Sequence, residues 1–395
     1  MKIKIIFFFI LGLDVLILFF QSSEISISYQ ETLILYGTIT PLQILIKLSM
    51  YLFGHNDFSL RLPMILAHLL SASLLFDISN KYMNDRNRLW LVIIFILLPG
   101  VLSSALLLNK AGLIIFGLLL FVWMYQKGNK MSYYFLLTSF IFLDNIFIYL
   151  FLALSIYAIY INNRWFFIFN MVAFFISIFS FGLDAHGLPT GHFLDVLGLY
   201  AAIFSPIIFL YIVFALYRKY LSQEIDILWF ISSIPFIISL FLSFRQTIPV
   251  EHFAPFLIIS LPLVAQVFIS SYRVRLKMFR GKYRMIFIIS FVFLVFNTLI
   301  VIFNKELYRL IDNPTKHFVY KFHIAKELAQ KLKKNSIDCV TTDYRMQQRL
   351  YFYGVTKCDK YRLNKIKPME IEDINVTISY RNTPVFVSYV TKVNN

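Results

Sequence analysis

Acids, imidazoles and one guanidinium recur in short polar stretches of this chain. The stretches hold Glu24 and Glu31; Asp57; Asp144; a run from Asp184 and His186 to His192 and Asp195; and Arg245 with Glu251 and His252. A carboxylate at a boundary between water and lipid can take a proton from an incoming hydroxyl or amine, so Glu31 and Glu24 are candidate bases. An imidazole can hydrogen-bond a phosphate or a sugar hydroxyl, which makes His192 the preferred ligand contact, with His186, His252 and Asp184 around it. A guanidinium can hold phosphate through two parallel hydrogen bonds and stabilise it as a leaving group; Arg245 is the candidate. The same residue types would suit a divalent metal, but their spacing matches no strong ligand motif, so no metal or cofactor is assigned. A plain polar turn capping two helices is the competing account of the 184–195 stretch, and headgroup anchoring is that of Arg245.

These stretches alternate with a second kind that carries lysine and arginine and little else. They are Lys2 and Lys4; Lys81, Arg86 and Arg88; Lys127 and Lys130; Arg218 and Lys219; and six basic residues from Arg273 to Arg284. Basic loops stay on the cytoplasmic side of a membrane, so the alternation places the N-terminus inside and gathers the acids and histidines on the outer face. Composition agrees, at 59% hydrophobic and 15% charged against roughly 45–50% and about 25% in soluble domains. The apolar runs predict helices near 3–20, 60–79, 89–107, 111–126, 132–144, 146–161, 165–183, 196–217, 227–243, 252–271 and 285–303. That is about eleven spans, counting two short helices around Asp144-Asn145, because one kinked helix there would turn the 272–284 basic cluster outward.

The fold class is therefore an α-helical polytopic membrane protein over 1–303, with a first outer loop at 21–59 and a small C-terminal α/β extracytoplasmic domain over 304–395. In that outer loop 41–53 is apolar around much of its circumference, stops at Gly54, and is suited to lie along the interface. In the C-terminal domain the pattern predicts helices at 324–332 and 346–353 and strands at 337–342, 376–379 and 385–390. Its cysteines, Cys339 and Cys358, are the only two in the chain; an oxidising compartment favours a disulfide, with two buried free thiols the alternative.

The formal charge of +16 would suggest nucleic acid in a soluble protein. Here much of the excess lies in short loops, where it sets topology and meets anionic headgroups, and no basic-aromatic module accompanies it. The sequence lacks a P-loop and a Gly-rich nucleotide fingerprint after a strand, against a nucleotide-sugar donor or ATP-driven transport. The run at 3–20 is apolar enough to outweigh the cost of about 2.5–3.5 kcal/mol for Asp14 in a span, and reads as an uncleaved first helix. Asp14 itself has no explanation in the sequence.

Phe53-Gly54-His55-Asn56-Asp57-Phe58-Ser59-Leu60-Arg61-Leu62-Pro63 resembles the segment that leads into the second transmembrane helix of GT-C superfamily glycosyltransferases that use polyprenyl-phosphate donors. It is most similar to the bacterial relatives of protein mannosyltransferases and the aminoarabinose transferase. In that family the preceding outer loop bears an acidic base, often in an Asp-Glu pair beside an aromatic residue. The best match here is Tyr29-Gln30-Glu31, with Gln30 where the family has Asp, so the resemblance gives the base role to Glu31 and keeps Glu24 in reserve. The family also has an acid in the turn matched by Asn109-Lys110-Ala111-Gly112; this chain does not, unless Asp144 or Asp184 substitutes. The 184–195 loop and the Arg245–Pro255 stretch resemble its substrate-facing loops. Arg61 and Lys110 face the same side, Arg61 with the alternative of pairing with Asp57 or a first-loop glutamate.

What the resemblance implies is an inverting glycosyltransferase of the bacterial inner membrane. It would pass a sugar from a polyprenyl-phosphate carrier to a lipid, glycan or protein acceptor in the periplasm. Two rivals stand beside it: a transporter or lipid flippase of cell-envelope biogenesis, and a noncatalytic subunit of an envelope assembly.

Overall fold

The computed structural model describes residues 2–182, 191–311, 313–364, 374–380 and 383–392. Eighteen α-helices run in chain order among the described residues. The first nine are α1 (Lys2–Glu24), α2 (Tyr29–Tyr36), α3 (Pro41–Phe53), α4 (Asp57–Ile78), α5 (Asp85–Leu97), α6 (Pro99–Leu106), α7 (Lys110–Gln126), α8 (Lys130–Leu143) and α9 (Phe147–Tyr160). They continue as α10 (Arg164–Phe181), α11 (Phe193–Phe204), α12 (Pro206–Leu221), α13 (Ile227–Ser243), α14 (Val250–Ile258), α15 (Leu261–Val274), α16 (Lys277–Ile302), α17 (Ala325–Lys334) and α18 (Tyr344–Phe352). Three strands close the order, β1 (Tyr361–Asn364), β2 (Ile374–Tyr380) and β3 (Thr383–Lys392).

Contacts divide the chain into two compact units. The first is Met1–Val15, Met64–Ala105 and Asn109–Thr298; the second is Leu16–Pro63, Leu106–Leu108 and Leu299–Asn395. The C-terminal part of the second unit begins at Leu299, beside the division expected at 303/304, and the segments 16–63 and 106–108 join it. The first outer loop belongs with the C-terminal segment because they share backbone and side-chain bonds, such as Ser26 N–H to the Phe322 carbonyl at 2.8 Å.

The elements described in the first unit are helices, with a core that includes Phe95, Phe121, Phe151, Leu228, Ile231 and Phe256. Its outward faces are apolar as well: Phe8 and Phe9 on α1, Phe175 and Phe179 on α10, and Ile286, Ile289 and Val292 on α16 are exposed. Helices that are apolar all round belong in lipid, where every backbone group is satisfied within the helix. Among the described residues four helices are long and apolar enough to cross a membrane, or up to eight if each bent pair counts as one span. The expected count of eleven rests on runs that are not all single helices of spanning length: 89–107, 196–217 and 252–271 are each broken.

Each break has a proline beside it. The bends of 63° between α5 and α6, 104° between α11 and α12, and 48° between α14 and α15 each have proline in the first turn of the second helix, at Pro99, Pro206 and Pro262. Proline has no N–H to donate, and Leu98 and Ser205, ahead of Pro99 and Pro206, have left helical geometry, whereas Leu261, ahead of Pro262, is already the first residue of α15. Ser205, ahead of Pro206, sits at φ +69°, where a residue with a Cβ is strained. Around Asp144-Asn145 there are two helices, α8 and α9.

The second unit packs α17 and α18 with a three-stranded antiparallel sheet in the order β1-β3-β2. Its core includes Leu328, Leu332, Leu350, Val376, Ile378 and Val390. The strand expected at 337–342 makes only isolated bridges, Cys339 to Thr356 and Thr341 to Arg362, and β1 was not foreseen. Cys339 and Cys358 form a disulfide. Helices α2 and α3 are bent by 91°, with Pro41 again opening the second helix.

Candidate functional site

In the second unit the first outer loop builds a buried charge network. Ser28 caps α2: its side chain accepts from Glu31 N–H, and Ser28 N–H donates to Glu31 Oε2 at 2.8 Å. Leu108 N–H donates to Glu31 Oε1 at 3.0 Å, and Arg61 Nη2 stands 3.8 Å from Oε2. Both oxygens are thus engaged in a side chain that is 2% exposed. A general base needs an oxygen within reach of the proton it removes; as placed here, Glu31 is a loop anchor rather than an open carboxylate.

Arg61 has no exposed surface. Besides Glu31 it faces Asp57 Oδ1 at 3.6 Å, and it donates to the carbonyls of Leu106 at 2.8 Å, Asp57 at 3.2 Å and Ser26 at 3.3 Å. The position at the start of α4 explains this: one turn separates Asp57 from Arg61, so both side chains lie on one helix face. Asp57 also accepts from Tyr353 Oη at 2.7 Å and pairs with Lys326 Nζ at 2.9 Å. Of the sequence alternatives for Arg61, the pairing with Asp57 and a first-loop glutamate is what the structure holds.

Besides Lys326, which pairs with Asp57, two members of the network were missed in the sequence. Arg349, on α18, donates to the carbonyls of Ile27 at 2.8 Å and His323 at 2.5 Å and to Ser26 Oγ at 3.3 Å. Burial holds its pKa below the usual guanidinium range. The signal was its spacing, since Arg349 lies between Met346 and Leu350 on the buried face of the helix. The other is Tyr353, whose phenol burial raises, with the Asp57 charge beside it. Glu24, by contrast, has its side chain 42% exposed and pairs with Lys305 at 2.5 Å.

Behind this network, Tyr308, His317 and His323 form a buried aromatic cluster. Val319 N–H donates to His317 Nδ1, so its Nε2 carries the proton given to the Asn304 carbonyl at 2.9 Å. His323 shares a 2.9 Å bond with Tyr308 Oη, and burial pushes its imidazole down to about 3.

In the first unit, two further sets of candidates meet. Lys110 Nζ lies 2.6 Å from Asp144 Oδ2, so an acid from the α8–α9 turn does stand beside the Asn109-Lys110 turn, whose own sequence lacks one. Asn109 caps α7 through Ala111 N–H and fixes that turn. His192 N–H donates to the Ser243 carbonyl at 2.9 Å, and the rings of Phe193 and Phe244 stack at 4.9 Å. The His192 loop is thereby bound to the turn that carries Arg245, and His252 follows in the first turn of α14. His192 Nδ1 is also 3.6 Å from Asp195. Asp184 and His186 lie outside the described residues.

The unexplained Asp14 acquires a partner. His68 Nε2 on α4 lies 2.8 Å from Asp14 Oδ2 on α1, both side chains are buried, and His68 stacks on Phe95. A carboxylate in a span is tolerated when it is paired in the bundle interior. Among the described residues no group of three or more His, Cys, Asp or Glu side chains gathers as a metal site.

Chemically, the second unit offers a buried guanidinium–carboxylate network, and the first offers an ammonium–carboxylate pair and an imidazole beside the Arg245 turn. No protein-family model, no curated protein and no solved structure matches the chain.

Proposed function

We propose that the chain is an integral-membrane glycosyltransferase that moves a sugar from a polyprenyl-phosphate carrier to a periplasmic lipid, glycan or protein acceptor, with inversion. The observation that carries this reading is the joining of its two motif segments. Glu31 of Tyr29-Gln30-Glu31 is bound to Arg61 of the Phe53–Pro63 segment, so residues matched separately in sequence act as one structure. The bonded loops of His192 and Arg245 add a place where a phosphate could be held by imidazole and guanidinium. In this reading Glu24, with its exposed carboxylate, is the accessible base, and Glu31 positions the loop.

A transporter or lipid flippase is the second reading, favoured by the bent pairs of apolar helices, since interrupted helices line many transport pathways. Proteoliposomes given a radiolabelled polyprenyl-phosphate sugar and a membrane extract as acceptor source separate the two. Label in a new product supports the transferase, and loss of that product in Glu24→Gln assigns the base. Label that crosses the bilayer still attached to its carrier supports the flippase and removes the transferase.

A further inference from the structure

The second unit contains a hollow of about 650 Å³, within the roughly 300–1,000 Å³ range of small-molecule sites. One wall is α17, where Lys326, Gln330 and Lys333 recur at i, i+4 and i+7 and share a face. That face is opposite Leu328 and Leu332, which enter the core. The other walls come from His55 and Asp57 at the entry to α4 and from Phe352 to Gly354 at the end of α18.

The charges in the hollow do not balance. Asp57 is already met by Lys326 at 2.9 Å, by Arg61 at 3.6 Å and by the Tyr353 hydroxyl at 2.7 Å. Lys333 forms no ion pair and no hydrogen bond among the described residues, and the Gln330 amide and the His55 ring nitrogens form no hydrogen bonds there either. Gly354, at φ +77°, leaves room for the ammonium: a Cβ there would stand 3.1 Å from Lys333 Nζ. Beside these donors, the His55 ring packs on the buried Phe352 ring, with centroids 4.5 Å apart and planes tilted by 40°.

We propose that this hollow binds a saccharide carrying a negative charge, as phosphate or carboxylate. The surplus ammonium takes the anion, and the Gln330 amide and His55 ring donate to hydroxyl oxygens. As an acceptor subsite the hollow rests on the transferase reading, but binding is measured without turnover, so the two ideas fail separately.

The test is calorimetric titration of the full chain in detergent. The probes are trigalacturonate, glucose 1-phosphate, neutral maltotriose, inorganic phosphate and tetra-aspartate. The charged sugars should bind at least tenfold more tightly than maltotriose, weaken with salt, and lose at least tenfold in Lys333→Glu, an exposed change that leaves the melting transition in place. The stronger of the two charged sugars identifies the anion. Gln330→Trp, which fills the hollow, should abolish both. Four results would overturn the proposal: no binding by either charged sugar, equal binding of maltotriose, phosphate alone as tight as glucose 1-phosphate, or tighter binding of tetra-aspartate. Insensitivity to both substitutions would overturn it too. Binding without any transfer activity would leave the site standing and remove the catalytic reading.

Discussion

Replacing Glu31 with glutamine separates an anchor from a base. The carboxylate accepts two backbone N–H groups, from Ser28 at 2.8 Å and Leu108 at 3.0 Å, and faces a guanidinium with no exposed surface. Glutamine keeps one acceptor oxygen, but its NH₂ must then face a second N–H donor, and Arg61 is left with Asp57 as its remaining counter-charge. A lost charge-assisted bond, an unsatisfied buried donor and a half-compensated guanidinium sum to about 3 kcal/mol. That is roughly a 150-fold fall in the folded-to-unfolded ratio. Arg61→Met removes donors from the carbonyls of Leu106, Asp57 and Ser26 as well as the charge, for about 4–5 kcal/mol. Because the two side chains share one network, the double variant should lose about 1–2 kcal/mol less than the sum. The assay is denaturant titration in mixed micelles, read by pulse proteolysis of a C-terminally tagged chain, since Trp90, Trp123, Trp165 and Trp229 all lie in the first unit. Full stability in Glu31→Gln together with complete loss of transfer would refute the anchor and restore Glu31 as the base. Strict additivity with Arg61→Met would refute the shared network.

Three further outcomes follow from the same geometry. Asp14→Ala, which strips the buried partner from His68, should destabilise the first unit by about 3 kcal/mol; adding His68→Leu should recover part of that, and equal stability of wild type and single variant in micelle titrations would show the pair to be idle. His323 is held at about 3 in the folded unit but titrates near 6.5 when unfolded, so the unfolded chain takes a proton the folded one refuses. Its stability contribution is complete above about pH 7 and declines as pH falls from 6.5 toward 3, by about 2 kcal/mol between pH 7 and 5. Denaturant midpoints of the second unit at these two pH values, compared with His323→Phe, measure it, and identical pH slopes in both proteins would contradict the assignment. Reducing the disulfide, whose cysteines are 19 residues apart, should cost the second unit about 3 kcal/mol, seen as a lower midpoint in dithiothreitol that Cys339→Ser/Cys358→Ser reproduces without reductant.

Much of the fold was legible because burial in lipid imposes a local rule. A run of apolar residues in a bilayer must satisfy its backbone within itself, so helix follows from composition and length, without knowledge of neighbours. The runs at 3–20, 60–79, 111–126 and 165–183 accordingly coincide with α1, α4, α7 and α10. Where the reading of continuous spans failed, the signal was present but outweighed. Pro99, Pro206 and Pro262 interrupt runs whose hydropathy is otherwise unbroken. In the C-terminal segment α17 and α18 were legible from their periodicity. The pairing that makes β1 a strand and leaves 337–342 as isolated bridges depends on partners distant in the chain.

The candidate site divides in the same way. The sequence by itself determined which residue types stand in the loops, and the spacing of Asp57 and Arg61 placed them one turn apart on a helix. It could not determine that Glu31 spends both oxygens on backbone donors, that Asp14 faces His68, or that Arg349 reaches back to Ile27. Those are contacts across 77, 54 and 322 positions. A carboxylate's role depends on how many hydrogen bonds it already makes and on whether water reaches it, and both are properties of the packed chain.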